Sequence, residues 1–408
     1  DRTVDGHCDC AFWINLHRWC TPDVGALIAP RPLLVASGTE DVLWRPQAFR
    51  EVMARLRRQY QALGAAESCA LVEDHTPHGY TPVLRRAIFA WFNRHLKGDD
   101  RPVVDDVTPF VEPEENLLVF GGHPPAADRM REVERLLIRR PSPALPTTAE
   151  GLRIWQAETL SRLRQTTFPA TAPAAPPRLC ESRAAGSAGD RSGRTWVFAT
   201  ADAVELRAHL MQPAKAGPAA APLVAACLDP AVQRVFCCGL PVAADIQSLV
   251  VEVRDTGATA LGAGLRNTAR RLYMNHGQTL PERQVHDLLA ALALVRPCLG
   301  AVGTVAVYGK GAMAPQAIYA ALLDPGIDEI ILEDPPATHD DPSVAEFLAV
   351  LQVGDLPQNL ALAWPRRITF VGAVPAAYEA VGDAYAGSGH GDRVRRIGAL
   401  AEWRPVTP

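Results

Sequence analysis

The sequence predicts an α/β fold made of two doubly wound parallel sheets in tandem. Short apolar runs, typical of buried parallel strands, alternate with longer segments whose apolar residues recur at helical spacing. This alternation occurs in two separate series along the chain. A chain of 408 residues with 48% hydrophobic residues is also longer than one domain usually requires.

The first series occupies residues 1–98, where we expect only the C-terminal part of a sheet. Its two apolar runs are each followed by an amphipathic helix, which is how a doubly wound sheet closes. The predicted elements in chain order are a short helix at 23–29, a strand at 32–37, a helix at 49–63, a strand at 69–72 and a helix at 82–96.

Residues 99–193 are expected to link the two series. The first part of this region is acidic and rich in proline, with a short strand predicted at 117–120. A helix is predicted at 150–163, and the composition of 168–193 predicts a loop or linker.

The second series spans residues 194–408 and again alternates strands with helices, after an antiparallel pair at 195–198 and 206–210. The remaining predicted strands are 223–226, 248–253, 304–308, 327–332, 368–371 and 394–400, with helices at 282–295, 314–323 and 344–351.

An acid and a histidine follow the two strands of the first series. Asp41 comes shortly after the first strand, and His78 follows the second strand in a Pro-His-Gly turn. Ligand sites of such sheets lie beyond the carboxyl ends of the strands, so these side chains can meet there. A carboxylate that orients an imidazole makes it a general base for a hydroxyl nucleophile. Glu40 and His75 are the neighbouring alternatives, and the ordinary interpretation is a turn aspartate and an exposed loop histidine.

Four segments of the first series carry a family resemblance: VDGHCDCAFWIN (4–15), ALIAPRPLLVASGTED (26–41), HTPHGY (75–80) and AIFAWFNRHLKGDD (87–100). With them, residues 1–98 resemble the C-terminal part of bacterial acetyl xylan esterase-like α/β-hydrolases. These are carbohydrate-esterase-type enzymes, close to glucuronoyl esterases and dienelactone hydrolases. The resemblance implies a Ser-His-Asp esterase of acylated carbohydrates such as acetyl xylan, with Asp41 as the acid and His78 as the base.

The nucleophile of such an enzyme precedes the acid in the chain, on a strand-to-helix elbow. The residues before Asp41 contain no such elbow, and the chain begins with Asp1 rather than methionine. We therefore expect an N-terminally truncated protein that does not by itself hydrolyse esters at an enzymatic rate.

Residues 195–404 resemble a second, degenerate hydrolase domain, which some relatives carry in tandem. Gly309-Lys310-Gly311-Ala312-Met313 lies between a predicted strand and helix, the position of Gly-x-Ser-x-Gly, with Gly311 in the nucleophile position. The acid position holds Pro375, and no histidine follows the last strand. The glycines at 309 and 311 do not complete a dinucleotide or P-loop signature.

The two series also resemble each other. In each, a short helix leads to a Pro-Arg corner, at Pro30 and Pro365, and then to a strand that ends at a glycine, Gly38 or Gly372. This self-similarity predicts a duplicated domain.

The segment before the first strand holds potential metal ligands and aromatic residues. The ligand-type residues, His7, Cys8, Asp9, Cys10, His17 and Cys20, do not have zinc-finger spacing, so no metal or cofactor is expected. Phe12, Trp13 and Trp19 are candidates to line an acyl or sugar pocket.

The formal net charge of -4 gives no reason to expect nucleic acid as a partner, and no apolar window is long enough to span a bilayer. The expected partner is a small-molecule or carbohydrate ester. The compartment, cytoplasmic or exported, stays open. Two alternatives also remain: a non-catalytic carbohydrate-binding or scaffolding protein, and a peptidase of the same fold.

Overall fold

A computed structural model of the chain divides into two compact units, Asp1–Arg139 (unit 1) and Arg140–Pro408 (unit 2). It describes residues 14–104, 110–138, 144–169, 176–188, 190–214, 221–229, 239–299 and 302–406.

Unit 1 contains a two-stranded parallel sheet. Strand β1 (Leu33–Gly38) pairs with β2 (Cys69–Asp74) along their whole length. The helices are α1 (Thr21–Ala26), α2 (Pro46–Ala62), α3 (Pro82–Phe92) with a π-helical end at Asn93–Lys97, α4 (Glu114–Leu117) and α5 (Val133–Leu137).

Local chemistry explains where the main helices of unit 1 begin and end. Proline occupies the first position of α2 and of α3, where its missing N–H costs nothing. The Thr81 hydroxyl caps α3 by accepting the Leu84 N–H at 3.3 Å, and Gly98 ends the helix with a left-handed φ of 65°.

The hydrophobic core cluster of unit 1 is small and consists of Met53, Leu56, Tyr60 and Cys69.

Unit 2 is built on a nine-stranded sheet of order β11-β10-β9-β8-β6-β7-β5-β4-β3. Strands β6 to β11 pair in parallel, and β5, β4 and β3 extend one edge in antiparallel pairing. The strands are β3 (Arg178–Ala188), β4 (Arg191–Ala199), β5 (Glu205–Pro213), β6 (Ala221–Cys227), β7 (Gln247–Glu252), β8 (Val302–Lys310), β9 (Glu329–Glu333), β10 (Arg367–Val371) and β11 (Val394–Ile397).

Apolar side chains cover both faces of this sheet. One face packs against helices in a large cluster that includes Phe198, Leu292 and Ile318, and the other carries a smaller cluster around Tyr308 and Trp403. The helices are α6 (Ala149–Thr166), α7 (Ala263–Asn275), α8 (Leu280–Val295), α9 (Ala314–Leu323), α10 (Val350–Val353), α11 (Leu356–Ala361) and α12 (Glu379–Gly387).

The structure differs from the predicted elements in several places. Helices α7 and α12 have no predicted counterpart. The segment predicted as a linker contains β3, an edge strand whose small and polar residues give little strand signal but pair with β4. Residues 117–120 end helix α4 and enter a turn instead of forming a strand. The helix predicted at 344–351 is reduced to α10, because Ala349 has a left-handed φ of 56° that a continuous helix does not tolerate.

Unit 1 repeats the last elements of unit 2. The order α1–β1–α2–β2 matches α11–β10–α12–β11, and both strand pairs are parallel. At each Pro-Arg corner the proline follows a cis peptide bond, Ala29–Pro30 in unit 1 and Trp364–Pro365 in unit 2.

Candidate active site

The two predicted catalytic side chains of unit 1 are in contact. His78 Nδ1 and Asp41 Oδ2 lie 2.7 Å apart, a hydrogen bond between the loops that follow β2 and β1. Gly38 lets these loops approach, because a Cβ at this position would overlap the carbonyl oxygen of Thr76. The pair therefore stands at the carboxyl edge of the parallel sheet, where ligand sites of such sheets lie.

Asp41 is held in place on both carboxylate oxygens. It is only 5% exposed, and its Oδ1 accepts the N–H groups of Leu43 at 2.8 Å and Trp44 at 3.1 Å. Burial acts to raise the pKa of Asp41, but the hydrogen bonds from His78, Trp44 and Leu43 outweigh it and hold the pKa below its usual value. An ionised Asp41 accepts the Nδ1 hydrogen of His78 and so leaves Nε2 as the basic nitrogen.

The alternative acid and histidine form a second pair beside the first. His75 Nε2 lies 3.3 Å from Glu40 Oε1, and His75 Nδ1 lies 3.2 Å from the Thr39 hydroxyl. The side chains of His75 and Glu40 are 83% and 49% exposed, against 4% for Asp41. Water screens an exposed pair of this kind, so Glu40 orients an imidazole less firmly than the buried Asp41 does.

An apolar cavity of about 470 Å³ adjoins the Asp41–His78 pair. It is lined by residues of β1 and α2 together with three aromatic side chains, Trp44, Phe49 and Tyr80. The aromatic candidates from the sequence are placed differently. Trp19 packs against His17 with ring centroids 5.3 Å apart and does not line the cavity, and Phe12 and Trp13 lie outside the described residues.

Sequence reasoning had a signal for two of these aromatic residues. Trp44 follows Asp41 by three positions, and Tyr80 follows His78 by two, so both belong to the loops that carry the pair. The potential metal ligands His7, Cys8, Asp9 and Cys10, for which no metal is expected from the sequence, lie outside the described residues. In the described part of the chain, no group of three or more His, Cys, Asp or Glu side chains is placed to hold a metal ion.

Neither strand-to-helix connection of unit 1 supplies a serine within the described residues. β1 is followed by Thr39, Glu40 and Asp41, and β2 by the segment 75–80, His-Thr-Pro-His-Gly-Tyr. Ser37 lines the cavity but lies inside β1, where its backbone is extended rather than turned as in an elbow. A serine nucleophile for His78 is thus not found at either of these two turns.

The strand-to-helix turn of unit 2 has the shape of a nucleophile elbow. A Cβ added to Gly309 would lie 2.6 Å from Ala314 Cα and 2.8 Å from Ala317 Cβ, so β8 and α9 meet too closely for any side chain there. Gly311 has a left-handed φ of 53°, and a Cβ at that position would meet no atom within 4 Å. The turn therefore has the features of Gly-x-Ser-x-Gly: a closely packed glycine at position 309, and a left-handed residue with free space around it at position 311. The residue at the nucleophile position is a glycine, so it has no side chain.

The described turns of unit 2 that correspond to the Asp41 and His78 loops hold no matching acid–histidine pair. Pro375 follows β10, and the turn after β11 is Leu400–Glu402, which contains no histidine. Beside the elbow, Glu333 accepts the Tyr308 hydroxyl at 2.6 Å and forms an ion pair with Lys310. Burial, together with the Glu333 hydrogen bond, raises the pKa of Tyr308.

Solved structures of esterases are similar to this chain. The crystal structure of a protein assigned as an acetyl xylan esterase of Bacteroides fragilis has a TM-score of 0.55 at 11% identity, covering 67% of this chain and 85% of that protein. The fold is α/β-hydrolase-like. The predicted fold class is thus confirmed. A glucuronoyl esterase of Solibacter usitatus is also similar, with a TM-score of 0.45 and 14% identity over 65% of this chain and 95% of that protein.

No protein-family model and no curated protein matches the sequence. Within the described residues, none of the helices combines the length and the apolar character needed to cross a bilayer.

Proposed function

We propose that Asp41 and His78 are the acid and the base of a serine-dependent carboxylic ester hydrolase. The observation that supports this most is the 2.7 Å hydrogen bond between a buried carboxylate and His78, beside an apolar cavity. In the reaction, His78 Nε2 takes the proton of the serine hydroxyl as that oxygen attacks the ester carbonyl. It then returns the proton to the leaving alcohol. Asp41 holds the tautomer and stabilises the imidazolium.

The nucleophile belongs to a Gly-x-Ser-x-Gly turn that is not among the described residues. The chain of residues 1–408 is therefore proposed to lack enzymatic ester hydrolysis by itself. Its turnover of p-nitrophenyl acetate, together with labelling by a serine-directed fluorophosphonate, tests this. Rapid turnover with stoichiometric labelling would show that a serine of this chain already serves His78.

The substrate is proposed to be an acylated carbohydrate. The cavity beside His78 is mainly apolar and carries the aromatic rings of Trp44, Phe49 and Tyr80, a lining suited to an acyl group or to the face of a sugar ring. The similar solved structures bear the names acetyl xylan esterase and glucuronoyl esterase, which agrees with this class of ester.

Unit 2 is proposed to be a non-catalytic hydrolase-like domain that serves as a structural or substrate-docking partner. Its elbow has no nucleophile at Gly311, its acid position is Pro375, and no histidine follows β11. Because the members of a triad act as a unit, the loss of one can cost about as much as the loss of all three, and unit 2 lacks all three. In this proposal residues 1–98 belong to the catalytic domain and 194–408 to the degenerate one.

The test is ester hydrolysis by the natural polypeptide that contains this chain. Asp41→Asn is expected to lower kcat about 10⁴-fold, because the amide favours the wrong tautomer of His78, and His78→Ala is expected to abolish turnover. Glu40→Gln and His75→Ala are the matched controls, since they alter the adjacent exposed pair. Full activity in Asp41→Asn or in His78→Ala would refute the proposal.

Substrates that differ only in the leaving group distinguish the esterase from the peptidase alternative. Wild-type protein is assayed with a p-nitrophenyl ester and with an amide of the same acyl group, because triad residues alone do not choose between them. Faster cleavage of the amide, normalised to its uncatalysed rate, would favour a peptidase.

A further inference from the structure

The loop that carries His78 begins and ends at one side chain. Asp74 is the last residue of β2, and its Oδ1 accepts the His75 N–H at 2.9 Å. Its Oδ2 accepts the Thr81 hydroxyl at 2.5 Å, on the far side of the segment 75–80. One carboxylate therefore closes the base of the loop, and His78 lies between the two points of attachment.

Thr81 connects this closure to helix α3. Its hydroxyl donates to Asp74, and the same oxygen accepts the Leu84 N–H in the first turn of α3. The guanidinium of Arg85 also holds the end of the loop, because it donates to the Tyr80 carbonyl. The loop thus ends on a helix that is itself anchored in unit 1, since Leu84 is buried.

The backbone of Asp74 joins the two loops of the candidate site. Its carbonyl oxygen accepts the N–H groups of Thr39 at 2.8 Å and Thr76 at 3.0 Å. Between the loops, the Thr76 carbonyl accepts the Glu40 N–H at 3.1 Å. The loop of the acid and the loop of the histidine are therefore both attached to this residue.

Unit 2 forms the matching strand end without a carboxylate. There the backbone bond that corresponds to the one from Thr39 runs from the Gly372 N–H to the carbonyl of Ile397, at 3.0 Å. Ile397 is the last residue of β11, and the described turn that follows, Leu400–Glu402, contains no histidine. A parallel strand pair of this kind does not require an acid at this position. In this chain the acid occurs where a histidine loop follows.

His78 depends on its loop for its position. Its side chain is 57% exposed, so packing holds it less firmly than it holds Asp41, whose side chain is 4% exposed. The 2.7 Å bond between His78 Nδ1 and Asp41 weakens steeply when the loop moves away. A displacement of about 1 Å at a reacting group can lower a rate about 100-fold.

We propose that Asp74 is a positioning residue for His78. By closing the loop, it keeps the imidazole within reach of Asp41, so that the hydrogen stays on Nδ1 and Nε2 stays free to take a proton. This inference rests on the proposed function and deepens it. It adds to the site a residue that is not among those lining the cavity.

The test is the tautomer of His78 in the full chain, which requires no catalysis. Long-range ¹H–¹⁵N correlation spectra of histidine-labelled protein distinguish the Nδ1–H from the Nε2–H form. They are recorded at about pH 8.5, well above the ordinary pKa of histidine. Wild type is expected to show mainly the Nδ1–H form. In Asp74→Ala the ratio of the Nδ1–H to the Nε2–H form is expected to fall about tenfold, which corresponds to the loss of one hydrogen bond to a charged group.

Glu73→Ala is the matched control. It removes the neighbouring carboxylate of β2, which pairs with Arg50, and leaves the Asp74 bonds in place, so the His78 tautomer is expected to stay as in wild type. Thr81→Val and Thr81→Ser provide a second comparison that carries the test if Asp74→Ala does not fold. Valine removes the hydroxyl and is expected to reproduce the change, whereas serine keeps the hydroxyl and the wild-type tautomer.

An unchanged His78 tautomer in folded Asp74→Ala or in folded Thr81→Val would overturn the inference, as would an equal change in Glu73→Ala. Ester hydrolysis by the natural polypeptide that contains this chain is measured in parallel. Asp74→Ala is expected to lower kcat at least about tenfold with KM nearly unchanged.

The two measurements separate this inference from the proposed function. A tautomer change in Asp74→Ala, in a protein whose wild type hydrolyses no ester, would leave the positioning role standing and refute the proposed function. Hydrolysis by the wild type, with an unchanged tautomer in Asp74→Ala, would refute the positioning role alone.

Discussion

Gly309→Ala tests whether the turn of unit 2 has elbow geometry. The new Cβ would lie 2.6 Å from Ala314 Cα and 2.8 Å from Ala317 Cβ, so helix α9 must move by about 1 Å to restore ordinary contacts. The first of these atoms is backbone, and α9 is almost entirely buried, which leaves little room for relaxation. Overpacking of this kind costs about 1–3 kcal/mol, and we expect the upper part of that range.

Gly311→Ala is the matched control, because it adds the same methyl group two residues further on. Its Cβ meets no atom within 4 Å, so only the left-handed φ of 53° opposes the change, at about 1 kcal/mol. Hydrogen exchange of peptides covering β8 and α9 measures the opening free energy of this region. We expect exchange to accelerate about 30- to 150-fold in Gly309→Ala and about fivefold in Gly311→Ala. Equal effects of the two substitutions would refute the close approach of β8 and α9.

Three further predictions follow from the described contacts. Gly311→Ser is expected to give neither ester hydrolysis nor fluorophosphonate labelling, because Pro375 follows β10 and the described turn after β11 has no histidine, so no acid–histidine pair activates the hydroxyl; fast labelling would contradict this. Asp287→Ala is expected to lower the free energy of unfolding in urea by about 3–5 kcal/mol, since it strips the buried Arg254 of its fully buried partner. Asp202→Ala, at a partly exposed partner of the same guanidinium, should cost less, and a larger loss there would count against this reasoning. Burial acts to raise the pKa of Asp41, but its hydrogen bonds lower it overall, so its stabilising effect is complete above about pH 4 and is lost as pH falls through the lower folded pKa. The urea midpoints of wild type and Asp41→Asn should therefore converge below pH 4, and a constant difference between pH 7 and pH 2 would argue against it.

The strands and the acid–histidine contact could be predicted because both follow from local pattern and sheet geometry. Short apolar runs bounded by Pro, Gly or polar residues placed β1, β2 and β8 to within two residues of their observed bounds. The meeting of Asp41 with His78 required only that two parallel strands be neighbours, since their carboxyl ends then share one edge.

Other features depend on tertiary contacts that the sequence pattern does not express. Strand β3 has weak strand propensity and forms because β4 offers it a backbone partner. The helical pattern of 344–351 is broken by the left-handed Ala349, while Val344, Phe347 and Leu348 are nevertheless buried. The cavity lining likewise depends on which face of α2 turns toward β1, and the loop aromatics Trp44 and Tyr80 join it only in three dimensions.

Unit 2 lacks counterparts of Asp41 and His78 at the matching strand ends. Unit 2 forms its sheet with Pro375 after β10 and with no histidine in the turn after β11, so this architecture requires neither a carboxylate nor an imidazole at those ends. Glycines with a packing or backbone role, such as Gly309, are present all the same. In unit 1 the corresponding loops place the buried Asp41 carboxylate against the imidazole of His78, beside a cavity. Two backbone N–H groups hold the other oxygen of this carboxylate. A pair that the architecture does not need, placed where ligands of such sheets bind, is better explained by chemistry than by stability.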